Sequence, residues 1–103
     1  MADLPVKRPI ARLPTHPGEL MREILSDHLR LSPAEAARRM KISAAVLDAV
    51  LNGSDAVTAE MAVRFGRLTG GAPELYLQMQ AQYDLWTARE QLKDALAEIE
   101  PAA

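Results

Sequence analysis

Residues 31–53 read LSPAEAARRMKISAAVLDAVLNG, and this stretch decides the fold class. Ser32 is placed to accept from a helix's free amides, Pro33 suits the first helical position, and Glu35 stands three residues after the cap. That is the spacing of a capping box. Ala36, Ala37 and Met40 then fall on one side of a short helix. Lys41, Ile42 and Ser43 break it. Ser43 caps a second short helix whose apolar positions are Val46, Leu47, Val50 and Leu51. Asn52 and Gly53 close it, because glycine enters the left-handed conformation without a Cβ penalty. Two helices of about eight residues with a three-residue turn between them form a helix-turn-helix pattern. Its second helix is of a size that enters the DNA major groove.

Outward from this centre the chain reads as helix in both directions. Upstream, a helix begins near Pro17, with Glu19 in its first turn and Leu20, Ile24 and Leu25 facing inward, and fades near Leu29. Downstream, Thr58 caps a helix carrying Met61, Ala62, Phe65 and Leu68, and Gly70-Gly71 stops it. A fifth helix starts near Pro73. No run alternates with the period of two that a strand requires. Residues 1–15 hold Pro5, Pro9 and Pro14, show no apolar period, and read as an extended arm charged by Lys7, Arg8 and Arg12. The expected organisation is an arm over 1–15, a helix-turn-helix domain over 16–99 ending in a dimerisation helix, and a tail over 100–103. The fold class is all-α, with five helices.

The last helix carries two apolar stripes. Leu75, Tyr76, Met79, Tyr83 and Trp86 form one. Leu85, Leu92, Leu96 and Ile99 form another, turned by roughly 130°. A core this small absorbs one stripe. The second calls for an earlier helix, a dimer mate or another protein, with the last two favoured because few places remain inside so small a domain, unless the helix breaks near Thr87. Tyr83, Leu85, Trp86, Leu92, Leu96 and Ile99 are therefore the expected interface residues.

Composition narrows the function. The 103 residues include no cysteine, which removes thiol catalysis, disulfides and Cys-ligated metal. His16 and His28 stand 12 apart, outside any metal-binding spacing, and His16 before Pro17 reads as a helix-start residue. No phosphate-cradling glycine motif occurs and no nucleophile–base pair can be assembled. An enzyme, a cofactor and a metal are not expected. No apolar run approaches the roughly 20 residues of a membrane span, and no leader pattern opens the chain. A cytoplasmic protein is expected. Net charge is −2 but unevenly spread. Residues 1–43 hold eight Lys/Arg against five Asp/Glu, and residues 44–103 hold four against nine. Such a chain could meet two kinds of partner.

Beyond the pattern itself, HPGEL at 16–20, LSPAEAARRMKIS at 31–43, LNG at 51–53, VTAEMAVRFGRLTG at 57–70 and YLQMQAQYDLWTAR at 76–89 resemble a HigA-type antitoxin. That family lies within the lambda-repressor-like (XRE) helix-turn-helix superfamily. The resemblance covers about residues 16–90. The central motif is generic to the superfamily, and the flanking HPGE and LQ…YDL segments are the specific part. It implies a dimeric five-helix protein that binds the operator of its own operon. It also implies a protein partner, a HigB toxin of the RelE-like, ribosome-dependent mRNA endonuclease type.

The expected DNA-facing residues are Ser32, Arg38, Arg39, Lys41, Ser43, Ala44, Ala45, Asp48 and Asn52. Arg38, Arg39 and Lys41 suit phosphate, unless Arg38 and Arg39 are merely solvated or paired with Glu35. The start of the second helix offers bases only short side chains and one carboxylate. Family members commonly carry a polar residue, often Gln, at Pro33, and polar or basic residues at Ala44, Ala45 and Ala49. Ala44 or Ala45 against thymine methyls and Asp48 against a cytosine amine are the contacts left, with DNA shape supplying the rest. For the toxin, the acidic Asp84, Glu90, Asp94, Glu98 and Glu100 and the N-terminal arm are the candidate surfaces. Two other readings stay open: a stand-alone dimeric repressor without a toxin, and an interaction module with weakened DNA binding.

Overall fold

The computed structural model describes residues 12–103. Most of the expected arm therefore lies outside the described residues, and 12–16 carry no helix or strand. Among the described residues every regular element is helical. α1 spans Pro17–Glu23 and continues as a π-helical turn over Ile24–Leu29. α2 spans Pro33–Met40, α3 Ala44–Leu51, α4 Ala59–Thr69, α5 Pro73–Gln91 and α6 Lys93–Ala97.

The chain's own caps set these boundaries. The Oγ of Ser32 accepts from the Glu35 amide at 3.1 Å, Ser43 from Val46 at 3.1 Å, and Thr58 Oγ1 from Met61 at 3.2 Å. Each satisfies one of the amides a helix start leaves unpaired, and each is worth about 1 kcal/mol. At α1 the cap is an imidazole. His16 Nδ1 accepts from the Gly18 amide at 2.9 Å, with buried Pro17 at the first helical position. Glu35 departs from the expected capping box: its carboxylate turns to Arg38 instead of reaching back to Ser32. An ion pair one turn onward competes for the same oxygens.

The core gathers Met21 and Leu25 from α1 and its π turn, Ala36, Ala37 and Met40 from α2, and Leu47, Val50 and Leu51 from α3. Val57, Met61, Ala62, Phe65 and Tyr76 complete it. Phe65 and Tyr76 meet edge to face with ring centroids 5.2 Å apart. Burial pushes the Tyr76 phenol up, and a hydrogen bond with the Thr69 side chain offsets part of that. A fully buried Leu47 or Phe65 side chain contributes about 1.5–3 kcal/mol.

Three expectations about packing change. On α1 the innermost stripe is Pro17, Gly18 and Met21, followed by Leu25 in the π turn, while Leu20 and Ile24 are only partly buried at its flanks. Val46 is 50% exposed, because the buried side of α3 is set by Leu47, Val50 and Leu51. The last helix does not run unbroken toward Ile99. It passes through Thr87 intact and breaks at Leu92, whose φ of −99° and ψ of 12° are not helical, before the short α6. No residue after Gln80 is buried and every residue from Arg89 onward is exposed, so little packing holds the final turns in line.

Candidate nucleic-acid interface

The turn between α2 and α3 is built by one unusual residue. Lys41 adopts the left-handed conformation at φ 63°, donating its amide to the carbonyls of Ala37 and Arg38. The Ile42 amide returns to the Ala37 carbonyl at 3.0 Å. These bonds close the end of α2 and reverse the chain within three residues, so that Ser43 can cap α3 at once. Close backbone contact fixes α3 from behind. A Cβ built on Gly18 would lie 2.0 Å from the Val50 carbonyl oxygen, so α1 and α3 touch main chain to main chain. Arg22 secures the far end of α3, donating to the Leu51 carbonyl at 2.8 Å and to Asn52 Oδ1 at 3.4 Å. A cation there also meets the negative end of the helix dipole.

With α3 held this way, Ser32, Arg38, Arg39, Lys41, Ser43, Ala44, Ala45, Asp48 and Asn52 are all solvent-exposed. They do not form a single cluster. Arg38 is paired with Glu35, and its guanidinium, chiefly through that hydrogen bond, holds the Glu35 carboxyl below the usual carboxylate range. The same pair raises Arg38. Its side chain remains 71% exposed, so the pair is weak and open to exchange for a phosphate. Arg39 and Lys41 instead border a shallow groove of about 490 Å³ that Met40, Val63, Arg64, Arg67 and Leu68 complete. Arg64 and Arg67 are additions that the sequence pattern did not single out. Arg64 Nη1 donates to the Met40 carbonyl at 2.7 Å, tying α4 to the end of α2, while its guanidinium also pairs with Glu60. Asn52 is committed in part to Arg22.

A further residue missed from sequence holds the loop after α3. Gln80, buried on α5, accepts the Val57 amide on Oε1 at 2.8 Å and donates to Asp84 Oδ1 at 2.9 Å. A polar residue within an apolar helix period gives no sign that its partner lies 23 positions earlier.

The residues expected at an interface divide into two groups. Tyr83 is half-buried, its ring edge to face with His16 at 5.0 Å. Trp86, also half-buried, and the exposed Leu85 border a groove of about 660 Å³ with Arg12, Leu13, Pro14, Thr15, Gln82 and Arg89. Leu92, Leu96 and Ile99 stand open to solvent, from 43% at Leu96 to 64% at Ile99. Among the described residues no helix is long and apolar enough to cross a membrane, and no group of three or more His, Asp or Glu is disposed to hold a metal.

No protein-family model matches the sequence. Individual relatives do. Virulence-associated protein A′ of Dichelobacter nodosus is 37% identical over 82 residues, which is 79% of this chain and 70% of that protein. An addiction module antidote protein of a HigA family from Coxiella burnetii superposes with a TM-score of 0.79 at 32% identity. That match covers 87% of this chain and 99% of the other. The chain belongs to the HigA-type antitoxin family of helix-turn-helix proteins. A further HigA, from Pseudomonas aeruginosa and solved with the higBA promoter, aligns over the same shares at 32% identity with a TM-score of 0.80. HigA-type proteins of this kind are antitoxins and transcriptional regulators, not enzymes. The HPGE segment now has a structural meaning within the HigA-type fold. His16 caps α1, Pro17 starts it, Gly18 admits α3, and Glu19 faces the helix's positive end.

Proposed function

We propose that this chain is the antitoxin of a toxin–antitoxin pair, that it binds its own operator as a two-fold symmetric dimer, and that it neutralises a HigB-like mRNA endonuclease by direct contact. One observation carries the DNA reading. The exposed start of α3 projects from a rigidly braced helix-turn-helix, with Arg38, Arg39 and Lys41 exposed beside it. That is the disposition in which a recognition helix enters the major groove and flanking cations meet phosphate. Relatives solved on operator and promoter DNA support it. The dimer is supported by the uncovered Leu85, Leu92, Leu96 and Ile99, which a single copy does not bury. The toxin contact is supported by family membership and by the acidic Asp84, Glu90, Asp94, Glu98 and Glu100, all exposed, against which a basic partner would dock.

The test is an electrophoretic shift on DNA from just upstream of the chain's own gene, run over a salt series against scrambled duplex. Sequence-selective binding with a steep salt slope is expected, and a supershift with the product of the neighbouring gene. Selective binding without a supershift by any neighbouring product leaves a stand-alone repressor. No binding at all refutes the DNA reading.

A further inference from the structure

We infer that α3 reads its operator through thymine methyl groups and a single cytosine amine, and that Asp48 is the residue that fixes the position of that cytosine. The inference rests on the DNA-binding reading above. Its basis is the chemistry of the exposed side of α3. Ala44 and Ala45 present methyl groups to solvent, and Val46, half exposed, adds two more beside them. None of the three carries a donor or an acceptor. Ser43 Oγ accepts the Val46 amide and keeps only its single O–H donor, and Asn52, whose amide oxygen is engaged by Arg22, sits at the opposite end of α3. Asp48 is exposed, and no hydrogen bond or ion pair engages its carboxylate among the described residues.

Guanine presents two acceptors in the major groove and is read by forked donors, which this face lacks. Thymine presents a methyl group, which small apolar side chains meet. Cytosine presents an amine donor, which a carboxylate accepts. An ionised carboxylate has acceptors only. Pressed into the groove between phosphates, Asp48 is strongly disfavoured wherever no amine meets it, and beside adenine's amine the N7 acceptor opposes the carboxylate, which leaves cytosine. It therefore selects by exclusion as much as by attraction. Phosphate contacts from Arg38, Arg39 and Lys41 supply sequence-independent affinity, and the methyl face with Asp48 supplies the choice of site.

The experiment is selection of bound duplexes from random-sequence DNA by the full chain, followed by two chemical changes. The enriched half-site is expected to hold thymines at two or more contacted positions and one cytosine. Replacing those thymidines by deoxyuridine deletes only the methyl groups. It is expected to weaken binding roughly three- to fourfold per methyl contacted. Asp48→Asn is expected to move the preference at the cytosine position to adenine, since an amide accepts from adenine N6 and donates to N7 on its major-groove edge. Asp48→Ala is expected to abolish discrimination there while leaving the salt slope unchanged. Guanine-dominated half-sites, or equal affinity for the deoxyuridine operator, overturn the inference. Salt-dependent binding without any enriched sequence overturns it alone. Failure to retain any duplex overturns it together with the DNA reading.

Discussion

Gly18→Ala is the sharpest probe of how α3 is held. The new Cβ would lie 2.0 Å from the Val50 carbonyl oxygen, where real Cβ contacts stay above 3.0 Å. The atoms in conflict are main chain on both sides, so no side chain can rotate out of the way. α1 and α3 must part by about an ångström, and the Gly18 amide must keep its bond to His16 while they do. Overpacking of a filled interior costs about 1–3 kcal/mol, and a backbone clash belongs at the upper end. Alanine's better helix propensity returns up to about 1 kcal/mol. The net is a loss of about 2 kcal/mol, which for a domain of this size lowers Tm by about 8–16 °C. Thermal unfolding followed by circular dichroism measures it. A shift of Val50 and Leu51 amide resonances should accompany the change, because the displaced element is α3. An unchanged or raised Tm would refute the close approach and with it the explanation of HPGE.

Other outcomes follow from single features. Gln80→Leu leaves the Val57 amide buried without its acceptor and should cost about 1–3 kcal/mol in urea unfolding, whereas a neutral result would mean the amide is satisfied elsewhere. Lys41→Gly relieves a left-handed residue at φ 63° and should stabilise the fold by about 1 kcal/mol while reducing the salt slope of DNA binding by about one; two changes of the same sign would contradict the assignment. Leu92→Asp with Leu96→Asp should leave Tm nearly unaltered and separate the dimer or the toxin complex in sedimentation, and survival of both assemblies would clear this surface of any role. The Glu35–Arg38 pair depresses the Glu35 carboxyl. Its small contribution is therefore present above the ordinary value of 4.5 and fades as pH falls through the lowered folded value. Glu35→Gln should flatten the acid limb of the Tm–pH curve between 4.5 and the lowered folded value, and identical limbs would show the pair contributes nothing.

The helix-turn-helix was legible because its signals are local. Ser32, Ser43 and Thr58 bond amides three residues onward, and Ala36, Ala37 and Met40 lie on one helical face whatever the rest of the chain does. His16 was legible as a helix-start residue for the same reason. What escaped depends on residues distant in sequence. Val46 shares the apolar character of Leu47 and Val50, and only the placement of α3 against α1 decides which are covered. Gln80 looks like a surface residue until Val57 is seen beside it. Arg64 and Arg67 join the cations of the turn because α4 packs on α2, which no spacing along the chain encodes. The break at Leu92 has no local signal at all, since neither glycine nor proline marks it. Lys41 in the left-handed region was hidden too, since glycine is the residue that usually advertises that conformation.

The absence of any buried residue after Gln80 has an evolutionary consequence. Folding free energy is drawn mainly from the segment before it, with Tyr83 against His16 and Asp84 on Gln80 as additions, and the exposed Leu92, Leu96 and Ile99 contribute little. Substitutions there change what the chain sticks to without threatening whether it folds. If the proposed protein contact lies on these helices, its residues can vary with little effect on the fold, while the buried residues before Gln80 cannot.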